Sequence, residues 1–158
     1  MPNERLFITV KIPVKNHVKK YLSVRYGNEH TLTKTSLLGM LLFYSLEQRI
    51  EKQNSSISDF DDNYNILVSQ HYMHQKGFSV NMKTRKFIAV CFEKLFMEDM
   101  NGFIDKCIGQ LNQSAMSSLK IFLKTYEIAE DDVKTESLYR QYQRYSKENI
   151  RQKKRKSA

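Results

Sequence analysis

Residues 6–52 read LFITVKIPVKNHVKKYLSVRYGNEHTLTKTSLLGMLLFYSLEQRIEK, and the reading of this stretch decides the fold. Its start alternates: Ile8, Val10 and Ile12 share one side of an extended chain, and Phe7, Thr9 and Lys11 share the other. The first side is aliphatic and needs a core. The second offers a ring, a hydroxyl and an amine. Pro13 is expected to end this strand, because it lacks the ladder N–H, and to lead a first helix, because its fixed φ suits a first helical turn. In that helix Val14, Val18, Tyr21 and Leu22 recur at helical spacing, with Lys15 and Lys19 on one flank and Lys20 on the other. Gly27-Asn28 is expected to close it as a left-handed C-terminal cap. Thr33 is the expected N-cap of a second helix. Its run from Leu37 to Leu46 is apolar almost all round, and such a helix has to be covered on more than one side.

Strand, helix, helix in this order resembles the ribbon-helix-helix family of DNA-binding proteins. The residues that carry the resemblance are the ITVKIP strand, the helix led by Pro13, and Thr33-Lys34-Thr35-Ser36 opening the second helix. In that family two chains pair their strands into a ribbon that enters the major groove, and the second helix holds a phosphate at its N-terminus. The resemblance implies that Phe7, Thr9 and Lys11 face bases and that the backbone amides near Thr35 and Ser36 form the phosphate clamp; Lys15, Lys19 and Lys34 are further candidate nucleic-acid contacts. Helix N-termini attract phosphate in any case. The alternative is an ordinary α+β domain whose first strand lies at a sheet edge. Pairing of Ile8–Val10 with Ile66–Val68 inside one chain would make a ribbon between chains unnecessary, and the sequence leaves both pairings open.

The charge is unevenly placed. The formal net charge of the 158 residues is +9. Residues 1–27 carry six Lys/Arg against one acid, residues 28–133 carry eleven against fourteen, and residues 134–158 carry nine against two. Two positive ends flanking a mildly acidic middle point to a polyanionic partner. The longest apolar run, Leu37 to Leu46, is too short to span a bilayer, and no charged-then-apolar leader is read at the start. The expectation is a cytoplasmic protein with no membrane association. Cys91 and Cys107 both fall in helical patterns and read as reduced thiols rather than a disulfide framework.

Past Lys52 the chain turns polar, and residues 53–63 read as a linker. Tyr64 to Tyr72 is a second strand, with Tyr64, Ile66, Val68, Gln70 and Tyr72 on one face, and Phe78-Ser79-Val80 is a short third one. His71 and His74 lack companions at zinc-site spacing and read as ordinary polar residues. Asn81 or Thr84 opens a long helix running toward Leu111, with Phe87, Ile88, Cys91, Leu95, Met100, Phe103, Ile104, Cys107 and Leu111 as its apolar stripe and Asn101-Gly102 as a place to kink. Gln113 or Ser114 opens the next helix, whose inner stripe is Ala115, Leu119, Phe122 and Tyr126. An acidic turn, Glu127 to Asp132, precedes the last helix, where negative charge favours a helix start.

That last helix carries the other informative pattern. Arg140, Arg144, Lys147 and Arg151 are spaced four, three and four apart, which at about 100° per residue gathers them on one narrow face. Leu138, Tyr142 and Tyr145 fall opposite, so the helix can dock by that stripe and turn its cations outward. Lys153, Lys154, Arg155 and Lys156 extend the charge. No acid is read as interleaved on the basic face, and Glu148 lies off it. Helix, acidic turn, basic helix resembles a helix-turn-helix in outline. A membrane-surface role fits poorly, because the apolar face is built of tyrosine rather than bulky aliphatics.

No glycine-rich phosphate loop, nucleophile elbow or calcium-loop pattern occurs. The expected fold is α+β and mostly helical, divided into a strand-helix-helix unit (1–52), a linker (53–63), short strands with a helical core (64–133) and a basic helix with its tail (134–158). The expected function is non-catalytic and cofactor-free binding of nucleic acid, DNA ahead of RNA, by a homodimer acting in regulation, replication or mobile-element maintenance. The general look is that of small basic phage or mobile-element proteins. The alternative of a different class is a phage structural or assembly protein that contacts nucleic acid or an acidic partner.

Overall fold

Alternating aliphatic residues in 7–14 and 62–69 give the chain two strands that bury one face each. In the computed structural model, which describes residues 6–47, 61–76 and 82–156, these become β1 (Phe7–Val14) and β3 (Asp62–Ser69). They pair antiparallel within the one chain, with Ile8 opposite Val68 and Val10 opposite Ile66. A short strand, β2 (Glu29–Thr31), joins the other side of β3 in parallel, giving the order β1-β3-β2. The fold is α+β and mostly helical. The chain divides into two compact units, residues 1–94 and 95–158.

In the first unit the sheet presents Val10, Ile12, Tyr64, Ile66 and Val68 to the core. Helix α1 (Asn16–Tyr26) adds His17, Val18, Tyr21 and Leu22. Helix α2 (Leu37–Glu47) adds Leu38, Leu42 and Phe43, and the start of α4 (Met82–Leu111) adds Ile88, Ala89 and Phe92. Tyr64 ties these parts together. Its ring meets Phe92 edge-on at 5.9 Å, and its hydroxyl donates to the Gly27 carbonyl at 2.9 Å. Burial lifts the Tyr64 phenol to about 12. A short helix, α3 (Gln70–Lys76), follows β3 directly.

Several expectations are corrected here. Pro13 does not end β1. It lies inside the strand opposite Asn63, and β1 has no partner on its other side among the described residues. An edge strand tolerates a missing N–H. Val14 is therefore a buried strand residue, and α1 starts after Lys15. Ile8 stays exposed beside buried Val10 and Ile12. Gly27 does take a positive φ of 92°, but its ψ of 172° is extended rather than left-handed helical, a region that glycine alone enters without strain. The cap of α2 is Ser36, not Thr33: the Gly39 N–H donates to Ser36 Oγ at 3.0 Å. Helix α2 is not covered all round, because Met40, Leu41 and Tyr44 are exposed. Gln70 and Tyr72 belong to a helix rather than to a continuing strand. The expected third strand at 78–80 and most of the linker lie outside the described residues.

The second unit is helical. The later part of α4 contributes Phe96, Met100, Ile104 and Cys107, and α5 (Ala115–Thr125) contributes Leu119, Phe122 and Leu123. Ser114 caps α5 by accepting the Ser117 N–H at 3.2 Å. Phe122 is the hub, with the rings of Phe96, Phe103 and Tyr126 at 5.8, 5.6 and 4.7 Å. Helix α4 runs unbroken through Asn101-Gly102. Phe87 and Leu111, expected in its stripe, are exposed, whereas Phe92 and Phe96, not expected there, are fully buried.

Candidate nucleic-acid interface

Helix α6 (Thr135–Lys156) is positioned by an acidic turn and by two tyrosines. The turn is a built structure. The Asp132 carboxylate accepts the Ala129 N–H at 2.8 Å, and Ile128 is buried. Glu130 accepts from the Thr135 N–H at 3.1 Å and from the Thr135 hydroxyl. These bonds close the start of α6 and hold the Glu130 carboxyl below its ordinary range. On the inner side Leu138 and Tyr142 are buried. The hydroxyls of Tyr142 and Tyr145 donate to the two oxygens of Asp105 at 2.8 and 3.2 Å. Burial, then the Asp105 carboxylate, pushes the Tyr142 phenol well above its ordinary range, so it stays the donor. Anchoring by Leu138, Tyr142 and Tyr145 is as the spacing anticipated.

The opposite face presents the cations. Arg140, Arg144, Lys147 and Arg151 are all exposed, as are Lys153, Lys154, Arg155 and Lys156. From Lys147 to Lys156 every residue is exposed except half-buried Asn149. The 22-residue helix is about 33 Å long, and at about 100° per residue Lys154 continues the basic stripe while Lys153 and Lys156 point elsewhere. One expectation fails. An acid does share the face: Glu136 stands four residues before Arg140 and pairs with it at 2.6 Å. That pair is well exposed, and exposed pairs of this kind contribute only about 0.3–0.5 kcal/mol. It can open toward a phosphate at little cost.

Of the residues expected in the first unit, Phe7, Lys34 and Thr35 line one groove, while Thr9, Lys11, Lys15 and Lys19 are not among its lining residues. Thr9 and Lys11 are exposed on β1. Lys15 pairs with Glu93 at 2.6 Å and Lys19 with Asp62 at 2.8 Å; the Lys19 bond holds the Asp62 carboxyl below its usual range. Lys34 lies over the Phe43 ring at 4.3 Å. Thr35 Oγ1 is 3.0 Å from Thr33 Oγ1, and Ser36 is engaged in capping α2. His71 and His74 are exposed on α3, and among the described residues no three His, Cys, Asp or Glu side chains gather as a metal site. Cys107 is buried and Cys91 half-buried, both unbridged. No described helix is long and apolar enough to cross a membrane.

Sequence reasoning missed Asp105, and it read the acidic turn 127–132 as favouring the start of α6 without singling out Glu130 as the residue that bonds Thr135. Asp105 had no local signal, because its tyrosine partners are 37 and 40 residues away. Glu130 could have been found: an acid five residues before a Thr-led helix is within reach of its first amide. Comparison with family models, with curated proteins and with solved structures found no match.

Proposed function

We propose that this chain is a non-catalytic nucleic-acid-binding protein that holds duplex DNA along α6. The observation that carries the reading is the division of that helix into two faces. Leu138, Tyr142 and Tyr145 fasten one side, while Arg140, Arg144, Lys147 and Arg151 stand exposed on the other. When such a stripe approaches a duplex, its cations displace the counterions condensed on the phosphates, and this release drives sequence-tolerant binding. Arginine forks also match phosphate geometry. In the first unit Lys15 and Lys19 are paired with Glu93 and Asp62 and are less exposed than Arg140, so that unit ranks second to α6 as a source of phosphate contacts. Thr9 and Lys11 are exposed on β1 and are the part of the reading that concerns base recognition.

Self-association through residues 6–46 is part of the same proposal. What supports it is the exposure of Ile8, Met40, Leu41 and Tyr44, together with the unpaired outer edge of β1 among the described residues. Light scattering at high concentration is expected to give a dimer; a monomer removes this part and leaves α6 untouched. The binding itself is tested by titrating random duplex at several salt concentrations. The affinity is expected to fall with a log–log slope of about −3 or steeper, near −0.9 per phosphate contacted. Absence of binding at low salt would reject the reading.

A further inference from the structure

A groove of about 720 Å³ lies at one end of the sheet, well away in sequence from α6. β2 and β3 run parallel and both finish there, and β1 begins there. Its walls are held by backbone bonds: the Leu32 N–H donates to the Leu67 carbonyl and the Gln70 N–H to the Leu6 carbonyl, both at 2.8 Å. The volume falls within the range of small-molecule sites, about 300–1,000 Å³.

The lining has a consistent chemistry. It contains the rings of Phe7 and Tyr72, the hydroxyls of Thr33 and Thr35, and the cation of Lys34, and no acid is among the described residues that line it. Phe7 is 44% exposed, an aromatic face left to solvent at the lip. Lys34 is not adrift: its ammonium sits 4.3 Å from the Phe43 ring centre and 5.8 Å from that of Tyr72. Beyond Thr35 and Ser36 the 11-residue helix α2 begins, adding the positive end of its dipole. Ring platforms suit a flat base, and an ammonium with neighbouring hydroxyls and no carboxylate suits a phosphate.

We infer that this groove takes one nucleotide unit, its base against Phe7 and Tyr72 and its phosphate at Lys34, Thr33 and Thr35. The unit is either a free nucleotide or an unpaired residue of a single strand, and both share this chemistry. None of the residues named for this site belongs to α6.

The chain has no tryptophan, so Phe7→Trp places a single emitter at the groove in the full chain. Its emission is titrated with a dT₁₀ strand and, separately, with thymidine monophosphate. Saturable quenching by both identifies a free-nucleotide site, and quenching by dT₁₀ alone identifies an unpaired strand residue; either outcome supports the assignment. Quenching by neither overturns it, as does quenching unchanged by Lys34→Ala. Because the emitter reports only the groove, a failure here is separate from a failure of duplex binding. If circular dichroism shows Phe7→Trp misfolded, the parent chain is titrated with a strand carrying 2-aminopurine. Phe7→Ala should then weaken binding about 5- to 150-fold, the range expected for losing about 1–3 kcal/mol of stacking. An unchanged affinity overturns the assignment.

Discussion

Phe122 touches three other rings and is almost wholly buried. Replacing it with alanine is expected to cost about 3–5 kcal/mol of stability, read by denaturant unfolding. Phe87→Ala, at a ring 49% exposed, should stay within about 0.5 kcal/mol. The contrast matters because sequence spacing put both residues in the core. Phe122 was legible because α5 is short and its apolar arc is narrow. Helix α4 carries apolar residues over a broad arc, so spacing alone did not locate its centre. The stripe in fact runs Ile88, Phe92, Phe96, Met100, Ile104, and only its tertiary neighbours select that one.

At the scale of elements, two turns decide where helices begin. Ser36 caps α2, and Gly39 packs so closely that a Cβ there would collide with the Thr33 carbonyl oxygen. Gly→Ala inside a helix ordinarily stabilises by about 1 kcal/mol. Here backbone stands in the way, so Gly39→Ala is expected to lower the melting temperature instead; a rise would contradict the close approach. The α6 start depends on Glu130, whose folded carboxyl is held below the ordinary glutamate value of 4.5 by its bonds to Thr135. A depressed acid stabilises above its unfolded pKa and loses that contribution as pH falls through its folded pKa. The melting-temperature gap between the parent chain and Glu130→Ala should therefore be constant well above the ordinary glutamate value of 4.5 and should close as pH falls through and below it. Neither device is a matter of periodicity. β2 was equally hidden, because three residues inside a polar link carry no alternation, and Pro13 misled because an edge position, which the sequence left as one of two alternatives, removes the penalty that normally ends a strand.

For the whole molecule, what was legible was the class of fold, the intrachain partner of β1 as one of two open choices, and the two-sided last helix. The exposed cations of α6 were legible because a helical face needs only its own spacing; the ion pairs of Lys15 and Lys19 were not, because Glu93 and Asp62 are distant in the chain. The account therefore rests on α6 more than on the β1 strand that opens the chain. The most direct test removes Arg140, Arg144 and Arg151 together, each to alanine, and measures duplex affinity against salt. With Leu138, Tyr142 and Tyr145 intact, circular dichroism should show the fold retained. The account predicts weaker binding to every sequence and a salt slope smaller in magnitude by about two to three units. A folded triple variant with unchanged affinity and unchanged slope would contradict it and leave α6 as solvated surface.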